Sequence, residues 1–248
     1  MNRCRQVMWW ALIAGCLCLG LSGCKPQAQE TSQSAAERDD QTSAAAPGQR
    51  TSVPPSQAPA HEGLIVAMGN SLTAGLGVPE AQAYPSQLAR KLRADGYAFE
   101  VINAGVSGET SSGARTRTEW MLTLKPDIVI LETGANDGLR GVDPRVIQSN
   151  IDAIVKVLQA QDVVVVLVGM QMVRNLGESY THAFAQVYPR IAQQYDLIFM
   201  PFFLQDVGGV PSLNQSDGIH PTAAGYEMIV KHLYPYVTAA IQQLRSQR

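Results

Sequence analysis

Residues 64–75 read Leu-Ile-Val-Ala-Met-Gly-Asn-Ser-Leu-Thr-Ala-Gly, a short apolar run that passes directly into a polar turn bounded by glycines. The apolar part does not alternate between polar and apolar positions, which is typical of a strand buried on both faces of a parallel sheet. Four further runs follow along the chain, at residues 99–102, 128–131, 163–168 and 197–200, and they are apolar apart from Glu100 in the first. The sequence therefore predicts five parallel strands.

Helical patterns fill the segments between these runs. Apolar residues recur at helical spacing over residues 84–95, 144–161 and 180–195, and a further helix is predicted within residues 110–124. A last helix is expected after Pro221, a residue suited to a first helical turn. Strands that alternate with helices form a doubly wound sheet, so we predict a three-layer α/β/α fold. Ligands of such sheets bind beyond the carboxyl ends of the strands.

Polar, glycine-rich segments follow the first three predicted strands. Ser71 lies in the turn after the first strand, where its hydroxyl would be exposed near a helix N-terminus, although a plain helix N-cap is a simpler role for it. The segment after the second strand contains Gly105 and Gly108, whose N–H groups could donate to an anion or simply form a turn. Asn136 follows the third strand and is either a fixed amide donor or a turn-forming residue.

Asp217 and His220 stand later in the chain, in the run Asp-Gly-Ile-His-Pro. An Asp three residues before a His lets one short loop present both side chains. The carboxylate can then orient Nδ1–H while Nε2 faces outward as a general base. A structural histidine at the start of a helix is the alternative.

In their order along the chain, these Ser, Gly, Asn and Asp-x-x-His segments resemble the SGNH (GDSL-type) hydrolase family. The resemblance extends over residues 63–248, and the runs SLTAGLGV, SGET, GANDGLRG and DGIHP are similar to those of the bacterial acyl-CoA thioesterase I, lysophospholipase and arylesterase group. It implies a flavodoxin-like sheet, with Ser71 as nucleophile, His220 as base and Asp217 as the residue that orients the base. It also implies an oxyanion hole made of the Ser71 and Gly108 N–H groups and the Asn136 side chain.

One position departs from that family's pattern. The residue before the serine is usually Asp in the family, and here it is Asn70. An amide keeps a hydrogen-bonding oxygen but carries no negative charge. The electrostatics around Ser71 are therefore expected to differ from those of the family.

The resemblance implies a serine esterase that hydrolyses acyl esters or thioesters of small molecules or lipids through an acyl-enzyme. The alternatives are a carbohydrate O-acetylesterase and a non-catalytic anchored binding protein. Apolar residues close to the carboxyl ends of the strands, where the site is expected, should either line a groove for an acyl chain or close the core. The candidate substrate-binding residues are Leu72, Met170, Met172, Val173 and Phe202.

Composition excludes several other classes of function. All four cysteines precede the predicted domain, so residues 63–248 hold no disulfide, no cysteine-based zinc site and no cysteine nucleophile. The same residues carry 14 Lys and Arg against 16 Asp and Glu, a net charge of −2, and this balance gives no reason to expect a nucleic-acid partner. The sequence has no metal-ligand motif, phosphate-binding loop or dinucleotide fingerprint, so we predict no metal ion and no cofactor.

The first 62 residues are expected to set the location of the protein. Residues 1–23 have the basic and then apolar pattern of a secretory signal peptide, and they end in Leu-Ser-Gly before Cys24, which resembles the bacterial lipobox. Lys25, by the same resemblance, favours the outer membrane. Residues 24–62 are predicted to be a disordered tether, since they hold almost no large apolar residue. We expect a lipid-anchored envelope protein that faces the periplasm, with the hydrolase domain in residues 63–248; its oligomeric state stays open.

Overall fold

A computed structural model describes residues 61–172 and 176–248. The predicted signal peptide, the predicted lipidation site Cys24, nearly all of the predicted tether and Val173 lie outside the described residues. In the part of the chain that is described, no helix combines the length and the apolar character needed to cross a membrane.

One five-stranded parallel sheet forms the centre of the described part. Its strands are β1 (Gly63–Gly69), β2 (Phe99–Gly105), β3 (Ile128–Glu132), β4 (Val164–Val168) and β5 (Ile198–Met200). They lie side by side in the order β2-β1-β3-β4-β5, and every neighbouring pair is parallel. This order is the flavodoxin-like arrangement, so the predicted strands and topology are confirmed. The order reverses at β1, so the carboxyl ends of β1 and β3 flank the crevice where such sheets bind ligands.

Eight α-helices surround the sheet in the described ranges. They are α1 (Ser71–Ala74), α2 (Tyr84–Ala94), α3 (Ser111–Leu122), α4 (Ala135–Leu139), α5 (Pro144–Gln159), α6 (Glu178–Ala185), α7 (Val187–Tyr195) and α8 (Ala223–Gln247). Helix α2 packs against α8, and α5 packs against both α3 and α7. The helices therefore form one layer on each face of the sheet, which confirms the predicted three-layer α/β/α fold.

The inner strands are buried because both faces of the sheet are covered. Every residue of β3 and β4 is buried, and the middle of β1 has no accessible surface. Helix α5 contributes an apolar stripe whose members recur every three or four residues, and the stripe is Ile147, Ile151, Ile154, Val155 and Leu158. The core lies between such apolar helix faces and the sheet.

Side-chain caps begin three of the helices that lead away from the polar segments. Asn70 caps α1, Thr110 caps α3 and Thr222 caps α8, and each side-chain oxygen accepts a backbone N–H from the first helical turn. These caps fix where the chain turns from a loop at the sheet edge into a helix.

Two features differ from the sequence-based prediction. The helix predicted over residues 180–195 is in fact two helices, because Pro189 has no N–H and its ring clashes with the carbonyl four residues earlier. Gly105, predicted to lie after the second strand, is instead the last residue of β2 and pairs with Gly69 of β1. A Cβ on Gly105 would lie 2.2 Å from the backbone nitrogen of Ala74, so α1 can approach β2 this closely only at a glycine.

Candidate active site

Ser71 and His220 meet at the carboxyl edge of the sheet. Ser71 is the first residue of α1, directly after β1, and its hydroxyl oxygen lies 2.8 Å from Nε2 of His220. His220 comes from the loop before α8, which is closed by an antiparallel bridge between Asn214 and Pro221. The hydroxyl and the imidazole are therefore within the distance needed for direct proton transfer.

Asp217 orients the imidazole of His220. One of its carboxylate oxygens lies 2.6 Å from Nδ1, and the other accepts the backbone N–H groups of Ile219 at 2.9 Å and of His220 at 3.0 Å. The hydrogen bond from the His220 ring, with these two backbone donors, lowers the pKa of Asp217 to about 2. An ionised carboxylate at Nδ1 keeps the proton on that nitrogen and leaves Nε2 as the acceptor that faces Ser71.

Gly108 comes from the loop after β2 and Asn136 from the short helix α4 directly after β3, and these two strands lie on either side of β1. Gly108 has a φ of +80°, and its N–H donates to no other residue that the structure describes. The Asn136 side-chain amide donates to the carbonyl of Glu109 at 2.9 Å, which places it beside the same turn. Gly105, in contrast, uses its N–H for the Asn103 side chain at 3.0 Å. Of the two glycines, Gly108 is thus the one with an available donor.

The backbone N–H of Ser71 is available as a donor in the turn after β1. The N–H of Asn70 donates to the Glu132 carboxylate at 3.1 Å, and the N–H of Leu72 donates to the Asn70 side chain at 2.9 Å. The N–H of Ser71 lies between these two and has no acceptor within residues 61–172 and 176–248. It is a second N–H group that could stabilise a negative oxygen.

A largely buried ion pair braces the loop that carries Gly108. Arg117 on α3 donates to both carboxylate oxygens of Glu109, at 2.6 and 2.7 Å, and the two side chains are only 17% and 7% exposed. In the sequence, Glu109 stands out only as the third residue of the SGET run. Its pairing with Arg117 could be found only from the tertiary structure, because two residues eight positions apart across a helix start form no recognisable sequence pattern.

Asp137 ties the loop after β3 to the start of α3. Its carboxylate accepts the backbone N–H of Ser111 at 2.7 Å and the hydroxyl of Ser111 at 2.6 Å. The Asn150 side chain on α5 donates to the same hydroxyl at 3.0 Å. All three residues are buried, so this network holds Asn136 and its loop in one position. Sequence reasoning did not single out these residues.

Glu132, the last residue of β3, is a buried carboxylate beside the nucleophile turn. It has no accessible surface and accepts hydrogen bonds from Asn70 and Thr73. Burial raises the pKa of Glu132 to about 7, and the hydrogen bonds from Asn70 and Thr73 limit that rise. In the sequence, the signal that could have identified Glu132 is a charged residue at the end of an apolar run.

The model of the GDSL-like lipase/acylhydrolase family matches residues 67–228. The chain belongs to this family. It is accordingly a carboxylic ester hydrolase, which confirms the enzyme class and the family that the sequence motifs predicted.

Named relatives of this acylhydrolase are esterases. It is similar to esterase TesA of Pseudomonas aeruginosa, with 38% identity over 69% of this chain and 86% of the relative. It is similar to thioesterase 1/protease 1/lysophospholipase L1 of Escherichia coli, with 32% identity over 70% of this chain and 84% of the relative. The solved structure of the psychrotrophic esterase EstA from Pseudoalteromonas sp., inhibited by monoethylphosphonate, matches with a TM-score of 0.70 and 31% identity over 73% of this chain and all of that one.

The apolar residues expected to bind substrate in this acylhydrolase have different locations. Leu72 and Met170 are each only 3% exposed and pack in the core, which corresponds to the core-closing alternative. Leu72 is buried because α1 packs directly on β1 and β2. Met172 is partly buried and packs against the core, and Phe202 is partly buried; both remain candidates for substrate contact.

Other aliphatic side chains of the acylhydrolase are exposed on segments near the candidate site residues in the sequence. They come after β1, β2 and β3 or before His220, and they are Leu76, Val106, Leu139, Val210 and Ile219, exposed by 47%, 47%, 49%, 36% and 45%. We call this set the aliphatic rim. Sequence reasoning missed it, because isolated aliphatic residues in loops have no distinguishing pattern.

No cluster of three or more His, Cys, Asp or Glu side chains within the described ranges is arranged to bind a metal ion. His232 on α8 contacts the carboxylate of Asp206 at 3.1 Å, far along the chain from the polar segments after β1, β2 and β3. The chemistry available at the described site is therefore that of a hydroxyl, an imidazole, carboxylates and amide donors.

Proposed function

We propose that this acylhydrolase is a serine esterase whose nucleophile is Ser71, with His220 as the general base and Asp217 as the residue that orients it. The observation that carries the proposal is the pair of contacts made by one imidazole: 2.8 Å from Nε2 to the Ser71 hydroxyl and 2.6 Å from Nδ1 to Asp217. One ring nitrogen is held as a donor, and the other can take up the serine proton.

Hydrolysis then proceeds in two halves. The Ser71 oxygen attacks the acyl carbonyl carbon while its proton passes to Nε2 of His220, and this proton leaves with the departing alcohol or thiol as the ester or thioester bond breaks. In the second half, water attacks the acyl-enzyme and gives a proton to the same nitrogen. The carboxylic acid is released, and Ser71 regains its proton.

Three amide donors are proposed to stabilise the negative oxygen of each tetrahedral intermediate. They are the backbone N–H groups of Ser71 and Gly108 and the side-chain amide of Asn136. Both backbone groups lack an acceptor in the described part of the chain, and Asn136 is held beside the Gly108 turn by its bond to Glu109. Donors held in place before the reaction need no reorganisation when charge develops.

The proposed substrates are acyl esters or thioesters with an aliphatic acyl chain. The aliphatic rim supports this class, since exposed apolar side chains on the segments that follow β1, β2 and β3 favour an apolar ligand over a sugar. The names of the relatives, which include esterase, thioesterase and lysophospholipase, agree with it. A p-nitrophenyl ester series from acetate to decanoate tests this directly. A rate that is highest for acetate and falls with every longer chain would contradict an acyl-chain site.

The nucleophile is tested by Ser71→Ala, for which kcat is expected to fall on the order of 10⁶-fold. A fluorophosphonate probe should label the wild type and leave Ser71→Ala unlabelled, since only an activated serine reacts. Ser246→Ala, exposed near the end of α8, is the matched control and should behave as the wild type. Equal hydrolysis by Ser71→Ala and wild type would refute the proposed mechanism.

We also propose that a lipid on Cys24 anchors the enzyme to the outer membrane, where it faces the periplasm. The support is the Leu-Ser-Gly-Cys run that ends at Cys24, followed by Lys25. Metabolic labelling with an alkyne fatty acid should mark the wild type and fail to mark Cys24→Ala, and the labelled protein should fractionate with outer membranes. Equal labelling of both proteins would contradict the anchor.

A further inference from the structure

Three hydrogen bonds from the nucleophile turn converge on Glu132. The Asn70 backbone N–H donates at 3.1 Å, the Asn70 side-chain amide at 2.6 Å and the Thr73 hydroxyl at 3.0 Å. Glu132 has no accessible surface, and Asn70 and Thr73 are 2% and 0% exposed. The residue before Ser71 and the residue two positions after it are thus both attached to one carboxylate.

The amide of Asn70 has only one orientation that satisfies its neighbours. Its Oδ1 accepts the N–H of Leu72 at 2.9 Å, so Nδ2 must face Glu132. An amide nitrogen only donates, and the facing oxygen of Glu132 must therefore accept. The backbone N–H of Asn70 likewise only donates. The ionised form of Glu132 satisfies all these donors.

The Gly-Asp-Ser-Leu motif that names the family has an aspartate where this chain has Asn70. An aspartate here would bring two carboxylates to the 2.6 Å contact now made by an amide and a carboxylate. Two such carboxylates cannot both ionise, and the pair would carry one negative charge and one shared proton. Asn70 with ionised Glu132 also carries one negative charge. The buried charge is therefore retained in this chain and resides on β3 instead of on the nucleophile turn.

We propose that Glu132 is a positioning residue for Ser71, and that the Asn70–Glu132 amide–carboxylate pair supplies the buried negative charge that holds the nucleophile turn. This inference rests on the proposed role of Ser71 as the nucleophile. Glu132 acts through the turn: it takes up the N–H and the amide of Asn70, while the N–H of Ser71 remains available for the developing oxyanion.

The surroundings of Glu132 allow one charge at this place. Burial raises the pKa of each tyrosine nearby, so these hydroxyls stay neutral. The carboxylate of Glu109, which faces Glu132, is paired with Arg117. Burial raises the pKa of Glu132 itself to about 7, so its ionised fraction grows as the pH rises through neutrality. The facing titratable groups are Tyr84 on α2, Tyr188 on α7, Tyr226 on α8 and Glu109 before α3.

A charge swap between the two residues tests the proposal. In Glu132→Gln the new NH₂ group faces a donor whichever way the amide turns, so kcat/KM above neutral pH should fall by up to about 10²-fold. In the double variant Asn70→Asp/Glu132→Gln, the glutamine amide can donate to the aspartate while its oxygen accepts the backbone N–H and the Thr73 hydroxyl. The double variant should regain at least roughly tenfold of the lost activity.

The pH dependence of one ratio separates this role from a purely structural one. Both wild type and Glu132→Gln contain His220, so protonation of the base cancels in the ratio of their kcat/KM values. Below neutral pH the wild type loses the Glu132 charge as well, and the ratio should therefore shrink toward one between about pH 8.5 and pH 5.5. Glu119→Gln, exposed on α3, is the matched control and should give a ratio near one throughout.

A ratio that does not change with pH, or a double variant no more active than Glu132→Gln, would overturn the proposal. If Glu132→Gln does not fold, the variant Asn70→Asp tests the proposal instead. Its two carboxylates share one proton, which is lost at alkaline pH, so its activity should fall there relative to wild type. An activity of Asn70→Asp that depends on alkaline pH in the same way as that of the wild type would then contradict the proposed role of the Asn70–Glu132 pair. Activity in Ser71→Ala would instead refute the proposed nucleophile, so the two failures are distinguishable.

Discussion

Arg117 donates two hydrogen bonds to the carboxylate of Glu109, at 2.6 and 2.7 Å, and a third at 3.3 Å to the carbonyl of Gly69, the last residue of β1. One side chain on α3 thus joins the loop that carries Gly108 to the end of the strand that precedes Ser71. The proposed nucleophile and one proposed oxyanion donor are attached to a common brace.

Removing this brace should be costly. Arg117→Met leaves the Glu109 carboxylate, 7% exposed, without its cation, so the free energy of unfolding should fall by about 3 kcal/mol or more. Glu109→Gln/Arg117→Met leaves no unpaired charge and should recover much of that loss. Urea unfolding of the three proteins measures both effects. Equal destabilisation of the single and double variants would show that the ion pair is not the cause.

Gly108 and Gly96 form a matched pair of glycines. Their φ angles are +80° and +86°, and a Cβ would meet no atom within 4 Å at either position. Alanine should therefore cost about 1–2 kcal/mol of stability at both sites, through backbone strain alone. Only Gly108→Ala should also lower kcat, by roughly 10- to 100-fold, because a shifted N–H no longer points at the oxyanion. Equal kcat values for the two variants would remove Gly108 from the oxyanion hole.

Asn136→Ala removes a proposed donor to the transition state. We expect kcat to fall by about 10²–10³-fold with little change in KM, since an oxyanion donor acts mainly on the transition state. Loss of the bond to the Glu109 carbonyl should lower the free energy of unfolding by only about 1 kcal/mol. Steady-state kinetics with p-nitrophenyl butyrate give both constants. A KM effect without a kcat effect would assign Asn136 to substrate binding.

Glu132 should make the protein less stable as pH rises. Its pKa is raised by burial from 4.5 to about 7, so the native state binds more protons than the unfolded state between these values. Stability therefore falls with rising pH across this window, by on the order of 3 kcal/mol from this group. Asp217 has the opposite sign, since its lowered pKa of about 2 removes stability only as pH falls below 3.8.

Urea unfolding at about pH 5 and pH 8 checks the Glu132 effect, with Glu132→Gln and the exposed Glu119→Gln measured in parallel. The difference in unfolding free energy between the two pH values should shrink in Glu132→Gln and persist in Glu119→Gln. The same difference in all three proteins would mean that Glu132 does not titrate in this range.

Most of the strands were predictable because they contain unbroken apolar runs, and burial on both faces requires such runs in a parallel sheet. Their ends were less predictable: Gly105 belongs to β2 because it pairs with Gly69, and no residue near Gly105 in the sequence encodes that pairing. The predicted single helix over residues 180–195 ignored Pro189, whose missing N–H separates α6 from α7.

The residues predicted to bind substrate show the same limit of sequence-based prediction. Leu72 and Met170 were placed near the active edge by their position after a strand, and that position is correct. Position along the chain does not say which way a side chain points, however, and both are buried in the core. The exposed side chains of the aliphatic rim are indistinguishable in the sequence from those buried ones.

Sequence alone determined the five strands, their parallel arrangement and the family, and it singled out Ser71, Asp217 and His220 as candidate site residues, because these depend on local pattern and on motifs of a few residues. Only the tertiary structure decided that Asn70 pairs with Glu132 and Arg117 with Gly69, contacts that join residues 62 and 48 positions apart. Such partners meet because β1 lies between β2 and β3 in register, and strand order and register are properties of the whole sheet.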